Sequence, residues 1–346
     1  MKTISKVFSC ILAFSSLLGS VEGQNRYKIW YDKPASYWEE ALPIGNGRIA
    51  AMVFGDPQLE QIQLNEETVS AGSPYQNYNE EAKAALPEMR RLIFEGKYEE
   101  AQNMAATKIL SQVGNEMPYQ TVGRLNIRYQ DHKKVSNYYR DLDISNAMTV
   151  TRYKVDGVEF TEETFASFTD QLVIRHIKSS KPGAINCELF FNTPMRDPKR
   201  SIYGKKGLRL EGITHGSRYF PGKVHYCADL DVKNKGGEVT MANDTLLSVQ
   251  GASELTLYIS MATNFVNYKD ISGDPYQRNK TYLKNAEKEY DKAKAAHIAA
   301  YQEQFNRVTL DLGETSQVNK PMDVRIKEFS SSYDPALIAL YFQYGR

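Results

Sequence analysis

The sequence predicts a mainly β fold, a large antiparallel sandwich, with helical segments confined to two places. Three observations predict it. Short apolar runs separated by turn residues recur from about residue 119 to 268, the spacing of antiparallel strands. Two apolar runs, Ala41 to Ile44 and Ile49 to Phe54, flank the turn Gly45-Asn46-Gly47, and a polar–apolar alternation follows at Gln61 to Leu64. A helical period is found only at 79–110 and after Asp274.

The chain opens like an export signal. Lys2 and Lys6 precede an apolar stretch from Val7 to Leu18, too short to span a bilayer, and small residues follow, with a cut expected after Gly23. Residues 1–23 are therefore expected to be a signal peptide, and the protein to be exported to the periplasm or beyond the cell. Cys10 sits too early for a lipoprotein. Cys187 and Cys227 remain after cleavage, and they are either bridged or a pair of buried thiols. Forty-three basic residues against forty-two acidic ones leave a net charge of +1, which steers the chain toward neither nucleic acid nor anionic lipid. No membrane insertion is expected.

The stretch 37–74 organises the rest. Gly45-x-Gly47-x-x-Ala50, with Glu66 or Glu67 about 20 residues on, matches a dinucleotide fingerprint. Pro43 just upstream and the break at Gly55-Asp56-Pro57 leave no room for the helix that fingerprint requires, so a hairpin is the better reading. Asn65-Glu66-Glu67-Thr68, on residue chemistry alone, is a solvated turn or a helix cap.

Asn79 can cap a helix over which Ala82, Leu86, Met89, Ile93 and Tyr98 recur, and Gly96 divides it into a hairpin. Strands are expected at Leu172 to Ile177, Ile185 to Phe190, Val224 to Leu230, Leu246 to Val249 and Leu255 to Met261. Tyr276 to Asn306 reads as one long helix without Gly or Pro, within which His297 is a packing or surface residue. Val324 to Ser330 is a short helical piece. Asp334 and Pro335 then start a helix whose Leu337, Leu340, Tyr341 and Tyr344 share one face, expected to stand uncovered.

The runs ALPIGNGRIAAMVFG (41–55) and QIQLNEETVSAGSP (61–74) resemble the opening of glycoside hydrolase family 95, the inverting α-L-fucosidases. The resemblance extends to Trp30-Tyr31 with Pro34-Ala35, to IFEGKYEEAQNMA (93–105), to Tyr119-Gln120-x-x-Gly123-x-Leu125, to 297–313 and to 334–346. It departs at Ser70, where the family usually has tryptophan. The resemblance implies an N-terminal β-super-sandwich over 24–270 with an inserted helical hairpin, a helical linker over 271–325, and at 326–346 the first helix of an (α/α)6 catalytic barrel. In that family the acid and the water-activating groups lie in the barrel, beyond residue 346, so no residue here inherits a catalytic role and this chain alone is expected to be inactive.

The resemblance further implies that Asn46, Arg48, Asn65, Glu66 and Thr68 brace or border the barrel's pocket. The partners it implies are a fucosylated glycan and, within the same protein, the barrel. No cofactor or metal is expected, because there is no His-Glu-x-x-His, no paired Cys-x-x-Cys and no Gly-x-Ser-x-Gly, and the five histidines lack ligand spacing. Two other functions stay open at this point. One is an α-L-galactosidase of the same family, since the two sugars differ by one hydroxyl. The other is a stand-alone carbohydrate-binding or scaffold protein.

Overall fold

A computed structural model describes residues 27–111, 117–216 and 220–346. The expected signal peptide lies outside the described residues. Among them are sixteen strands and six α-helices. In chain order the strands are β1 (Lys28–Tyr31), β2 (Leu42–Gly45), β3 (Ile49–Val53) and β4 (Leu59–Glu66), then β5 (Gly123–Tyr129), β6 (Val135–Asp143), β7 (Met148–Val155) and β8 (Val158–Ala166). They continue as β9 (Val173–Ser179), β10 (Ile185–Asn192), β11 (Arg196–Ile202), β12 (Gly207–Ile213), β13 (His225–Lys235), β14 (Glu238–Asn243), β15 (Leu246–Ala252) and β16 (Glu254–Thr263). A helical hairpin, α1 (Ala82–Phe94) and α2 (Tyr98–Met104), is inserted between β4 and β5.

The strands form two antiparallel sheets. Nine strands run in the order β1-β6-β7-β8-β9-β16-β13-β12-β11, and seven in the order β14-β15-β10-β5-β4-β3-β2. Alternation selects the inner faces: Ile62, Leu64, Leu125, Ile127 and Leu189 of the smaller sheet meet Val173, Ile177, Leu230 and Leu257 of the larger in one apolar layer. Gly123 opens β5 with φ +139, and a Cβ there would lie 2.5 Å from the Asn192 carbonyl, so only glycine fits.

The outer face of the nine-stranded sheet is covered by α3 (Pro275–Asn285) and α4 (Tyr290–Phe305), whose Leu283 and Ala293 pack on Phe165, Ile174 and Tyr258. The single helix expected over 276–306 is two helices. The break falls at Ala286–Glu289 because tertiary bonds claim the backbone there. Asp170 accepts from the Glu287 amide (3.1 Å), and the Lys288 carbonyl accepts from Lys233 Nζ (2.9 Å) and Tyr258 Oη (3.0 Å). His297 is buried, donating from Nε2 to the Asn146 carbonyl (3.1 Å), which is the packing role expected of it.

Asp334 caps the last helix, α6 (Pro335–Tyr344), accepting from the Leu337 amide (3.0 Å). It also forms a buried bidentate ion pair with Arg325 of α5 (Met322–Glu328), at 2.9 Å in both contacts. The apolar stripe of α6 is not left uncovered as expected. Leu337 and Leu340 pack against the sandwich beside Leu42, and only Tyr341 and Tyr344 of the four face outward. Cys187 on β10 and Cys227 on β13 stand in different sheets as free, buried thiols, and burial pushes both thiols up. No helix among the described residues is long and apolar enough to cross a membrane.

The two faces of α6 give the first prediction. Leu340→Ala, at a site 2% exposed, is expected to cost about 2–4 kcal/mol in denaturant unfolding. Tyr341→Ala, at a site 75% exposed, is expected to change stability by less than about 0.5 kcal/mol.

Candidate functional site

The β2–β3 turn closes on the side chain of Asn46. Its Oδ1 accepts from the Arg48 amide (3.1 Å) and the Ile49 amide (2.9 Å), while Gly47 takes φ +92, a value side chains avoid. Asn46 Nδ2 donates across the sandwich to the Ser167 carbonyl (2.8 Å). The turn is thus fastened to the opposite sheet at the end of β8.

Arg48 extends the fastening. Its Nε donates to Gln171 Oε1 (2.8 Å), Nη1 to the Met261 carbonyl (2.8 Å) and Nη2 to the Gln171 carbonyl (3.0 Å). The guanidinium lies over the Tyr282 ring of α3, 4.7 Å from its centroid, and 3.5 Å from Glu66 Oε1. Glu66 ends β4 with its side chain buried, and burial raises its carboxyl above the ordinary range against the opposing hydrogen bonds of Thr68. Its Oε2 accepts from the Thr68 amide (2.8 Å) and hydroxyl (2.6 Å). With its proton committed there, Thr68 Oγ1 accepts from the Thr263 hydroxyl. Thr263 Oγ1 in turn accepts from the Phe265 amide (3.2 Å).

Asn46, Arg48, Glu66 and Thr68 therefore come together, as one network joining both sheets. Asn65 does not join them. It is part of β4, paired with Ala50, and alternation turns its side chain to the outer face, away from Glu66. The expectation that Asn65 to Thr68 form a loop is corrected: pairing with β3 carries the strand through Glu66.

Beyond Thr68 the chain borders a cavity of about 610 Å³, lined by Glu67, Thr68, Ser70, Tyr75, Phe265 and Tyr268 among others. Tyr75 stacks on Phe220 at 4.2 Å between centroids. Ser70 lies on this wall, and a tryptophan there would fill part of the space. Of the residues proposed from sequence, only Thr68 reaches the cavity; Arg48 and Glu66 are committed to the network behind it. Glu67 and Tyr75 were findable by adjacency to Thr68. Phe265 and Tyr268 follow β16, nearly 200 residues later, and only sheet pairing brings them here. Among the described residues no group of three or more His, Cys, Asp or Glu converges as a metal site.

This geometry can be set beside known proteins. Residues 29–268, the sandwich, match the glycosyl hydrolase family 65 N-terminal domain, and residues 289–346 match the glycosyl hydrolase family 95 catalytic domain. Over its sandwich the chain belongs to the family of the first match, and its last stretch is similar to a family 95 catalytic domain. Its sandwich is of the type named for family 65. Alpha-L-fucosidase 2 of Arabidopsis thaliana is 31% identical over 92% of this chain, and a probable alpha-fucosidase A of Aspergillus niger is 26% identical over 92%. A probable alpha-fucosidase A of Aspergillus oryzae is 23% identical over 95%. The chain spans 41%, 42% and 48% of those relatives' lengths respectively.

The network predicts a contrast between neighbours. Glu66→Ala leaves Arg48 without its carboxylate and is expected to cost about 2–3 kcal/mol in stability. Asn65→Ala, on the outer face, is expected to cost less than about 0.5 kcal/mol, both read from urea unfolding.

Proposed function

We propose that this chain is the non-catalytic N-terminal portion of an exported glycoside hydrolase that removes terminal α-L-fucose from glycans with inversion. In this reading the acid and base belong to an (α/α)6 barrel that α5 and α6 begin. The similarity of 289–346 to a family 95 catalytic domain and the fucosidase names of the relatives support it.

One observation carries the non-catalytic part. Inversion needs two carboxyl groups about 6.5–9.5 Å apart, one to protonate the leaving oxygen and one to activate water. Among the residues lining the cavity beside Thr68, Glu67 is the one carboxylate. Glu66, next in sequence, is buried behind the wall and bonded to Arg48 and Thr68. The sandwich thus offers shape and a single exposed carboxylate, short of the pair that inversion needs, and in this reading both catalytic groups come from the barrel.

The barrel contact has its own support. An apolar groove of about 580 Å³ lies between α5, α6 and the β1–β2 edge, lined by Ile29, Leu42, Met322, Ile326, Leu337 and Tyr341 among others. Further barrel helices would cover it and the outward rings of Tyr341 and Tyr344.

The test is an assay of the complete protein on aryl α-L-fucoside and aryl α-L-galactoside, with the anomer of the released sugar read by NMR. Release of β-L-fucose at the first instant, with little from the galactoside, is the expected result. Preferred cleavage of the galactoside would replace fucose by L-galactose in the reading. Binding of fucosylated glycans with no release of sugar would overturn it in favour of a carbohydrate-binding protein. Glu67→Gln in the same protein is expected to lower kcat/KM without moving the unfolding midpoint, because its side chain faces the cavity and makes no core contact.

A further inference from the structure

Away from the Arg48 network, a second polar cluster sits in the apolar layer between the sheets. Glu60 stands on β4, Tyr129 on β5, Tyr153 on β7, Glu162 on β8 and Arg175 on β9, all buried. Arg175 Nη2 bonds Glu162 Oε2 and lies 3.3 Å from Glu60 Oε2, while Nη1 donates to Thr164 Oγ1 (2.8 Å). Glu162 Oε1 accepts from Tyr129 (2.5 Å) and Tyr153 (2.8 Å). Glu60 Oε1 accepts from the Phe54 amide (3.2 Å) and the Gly55 amide (3.1 Å), and its Oε2 has no hydrogen-bond partner.

The charges do not balance. Two carboxylates share one guanidinium in a place water does not reach. The other charged or titratable neighbours are engaged elsewhere. Arg140 donates to the Lys33 carbonyl (2.8 Å) and the Glu40 carbonyl (2.7 Å), and Tyr138 donates to the Gly55 carbonyl (2.6 Å). Asp56 accepts from the Gln58 and Leu59 amides, and burial holds His132 toward its neutral form and Cys187 toward the thiol. The second negative charge has no ion-pair partner of its own, Arg140 attracting it only through space, and a buried charge so poorly compensated is destabilising.

We propose that Glu60 carries a proton in the folded protein up to neutral pH, and that its loss at higher pH is a switch that loosens the joint between the two sheets. The proton belongs on Glu60 because its Oε2 accepts no hydrogen bond, whereas both oxygens of Glu162 accept, from Tyr129, Tyr153 and Arg175. Burial, and then the Glu162 charge, outweigh Arg175 and push the Glu60 carboxyl up to about 7. An unfolded glutamate titrates near its ordinary value of about 4.3. The folded state therefore binds the proton more tightly, and this contribution to stability is full below about 4.3, falls progressively as pH rises from there, and is gone above about 7. Burial lowers His132, His176 and His297, which act in the opposite sense and cost stability as pH falls.

Comparison with Glu60→Gln isolates the glutamate, because glutamine is neutral at every pH and keeps an acceptor for the Phe54 and Gly55 amides. Thermal unfolding midpoints of the wild-type protein and Glu60→Gln would be measured from about pH 5.5 to 8.5. The expected result is that the wild-type midpoint falls by a few degrees relative to the variant across that range. A difference that stays flat overturns the proposal. If Glu60→Gln does not fold, carboxyl-¹³C-glutamate NMR of the wild-type protein decides. One glutamate carboxyl titrating near neutrality supports the proton site, and titration of every glutamate below about pH 5.5 overturns it.

Discussion

The structure depends on how one strand is held. The inner face of β4 carries Glu60, Ile62, Leu64 and Glu66 in alternation, so an apolar centre is bounded by a carboxylate at each end. Each carboxylate reaches a guanidinium that serves the joint between the sheets. Glu60 meets Arg175, which stands on the opposite sheet itself, and Glu66 meets Arg48, whose other donors reach Met261 and Gln171 across the layer. Apolar packing between two sheets is tolerant of sliding, because methyl groups have no direction. Polar contacts are directional, and the two clusters around Glu60 and Glu66, six residues apart on one strand, fix its register against the opposite sheet.

That constraint gives Arg48 and Glu66 a structural task. Arg48 and Glu66 have the side chains of an active site, yet all three guanidinium nitrogens of Arg48 and both oxygens of Glu66 are engaged inside the protein. What they hold in place is the wall behind them. The hydroxyl relay from Glu66 through Thr68 and Thr263 to the Phe265 amide links the end of β4 to the start of the segment that lines the cavity's far side. The cavity is thus shaped by a network that it does not expose.

Much of this was legible in the sequence where a local rule applied. The Gly45-Asn46-Gly47 turn, the alternation of β4 and the Asp334-Pro335 helix start each express one rule within a few residues. Among the strands that no local pattern singled out are β1, β11 and β14, all sheet edges: β11 and β14 are rich in polar residues and β1 is only four residues long, too short to show a period. The break at Ala286–Glu289 was hidden because helix propensity is local and the bonds that override it come from Asp170, Lys233 and Tyr258. The cluster around Arg175 was hidden for the same reason. Glu60 is in phase with Ile62 and Leu64, which marks it as inward-facing, but its partner stands more than a hundred residues away. The placement of Asn65 turns on where β4 ends, and the sequence has no break between Leu64 and Glu66 to mark it.

The most direct test of the central claim is hydrogen exchange along β4 and its neighbours after Arg48→Met. If the two polar contacts act as separate fastenings, protection should fall at the amides of Glu67, Thr68, Val69 and Gln120, which bond around the Glu66 end. The amides of Phe54 and Gly55, held by Glu60, should keep theirs. An even loss along the whole strand, or none at all, would contradict the view that β4 is fixed at its two ends by these polar contacts.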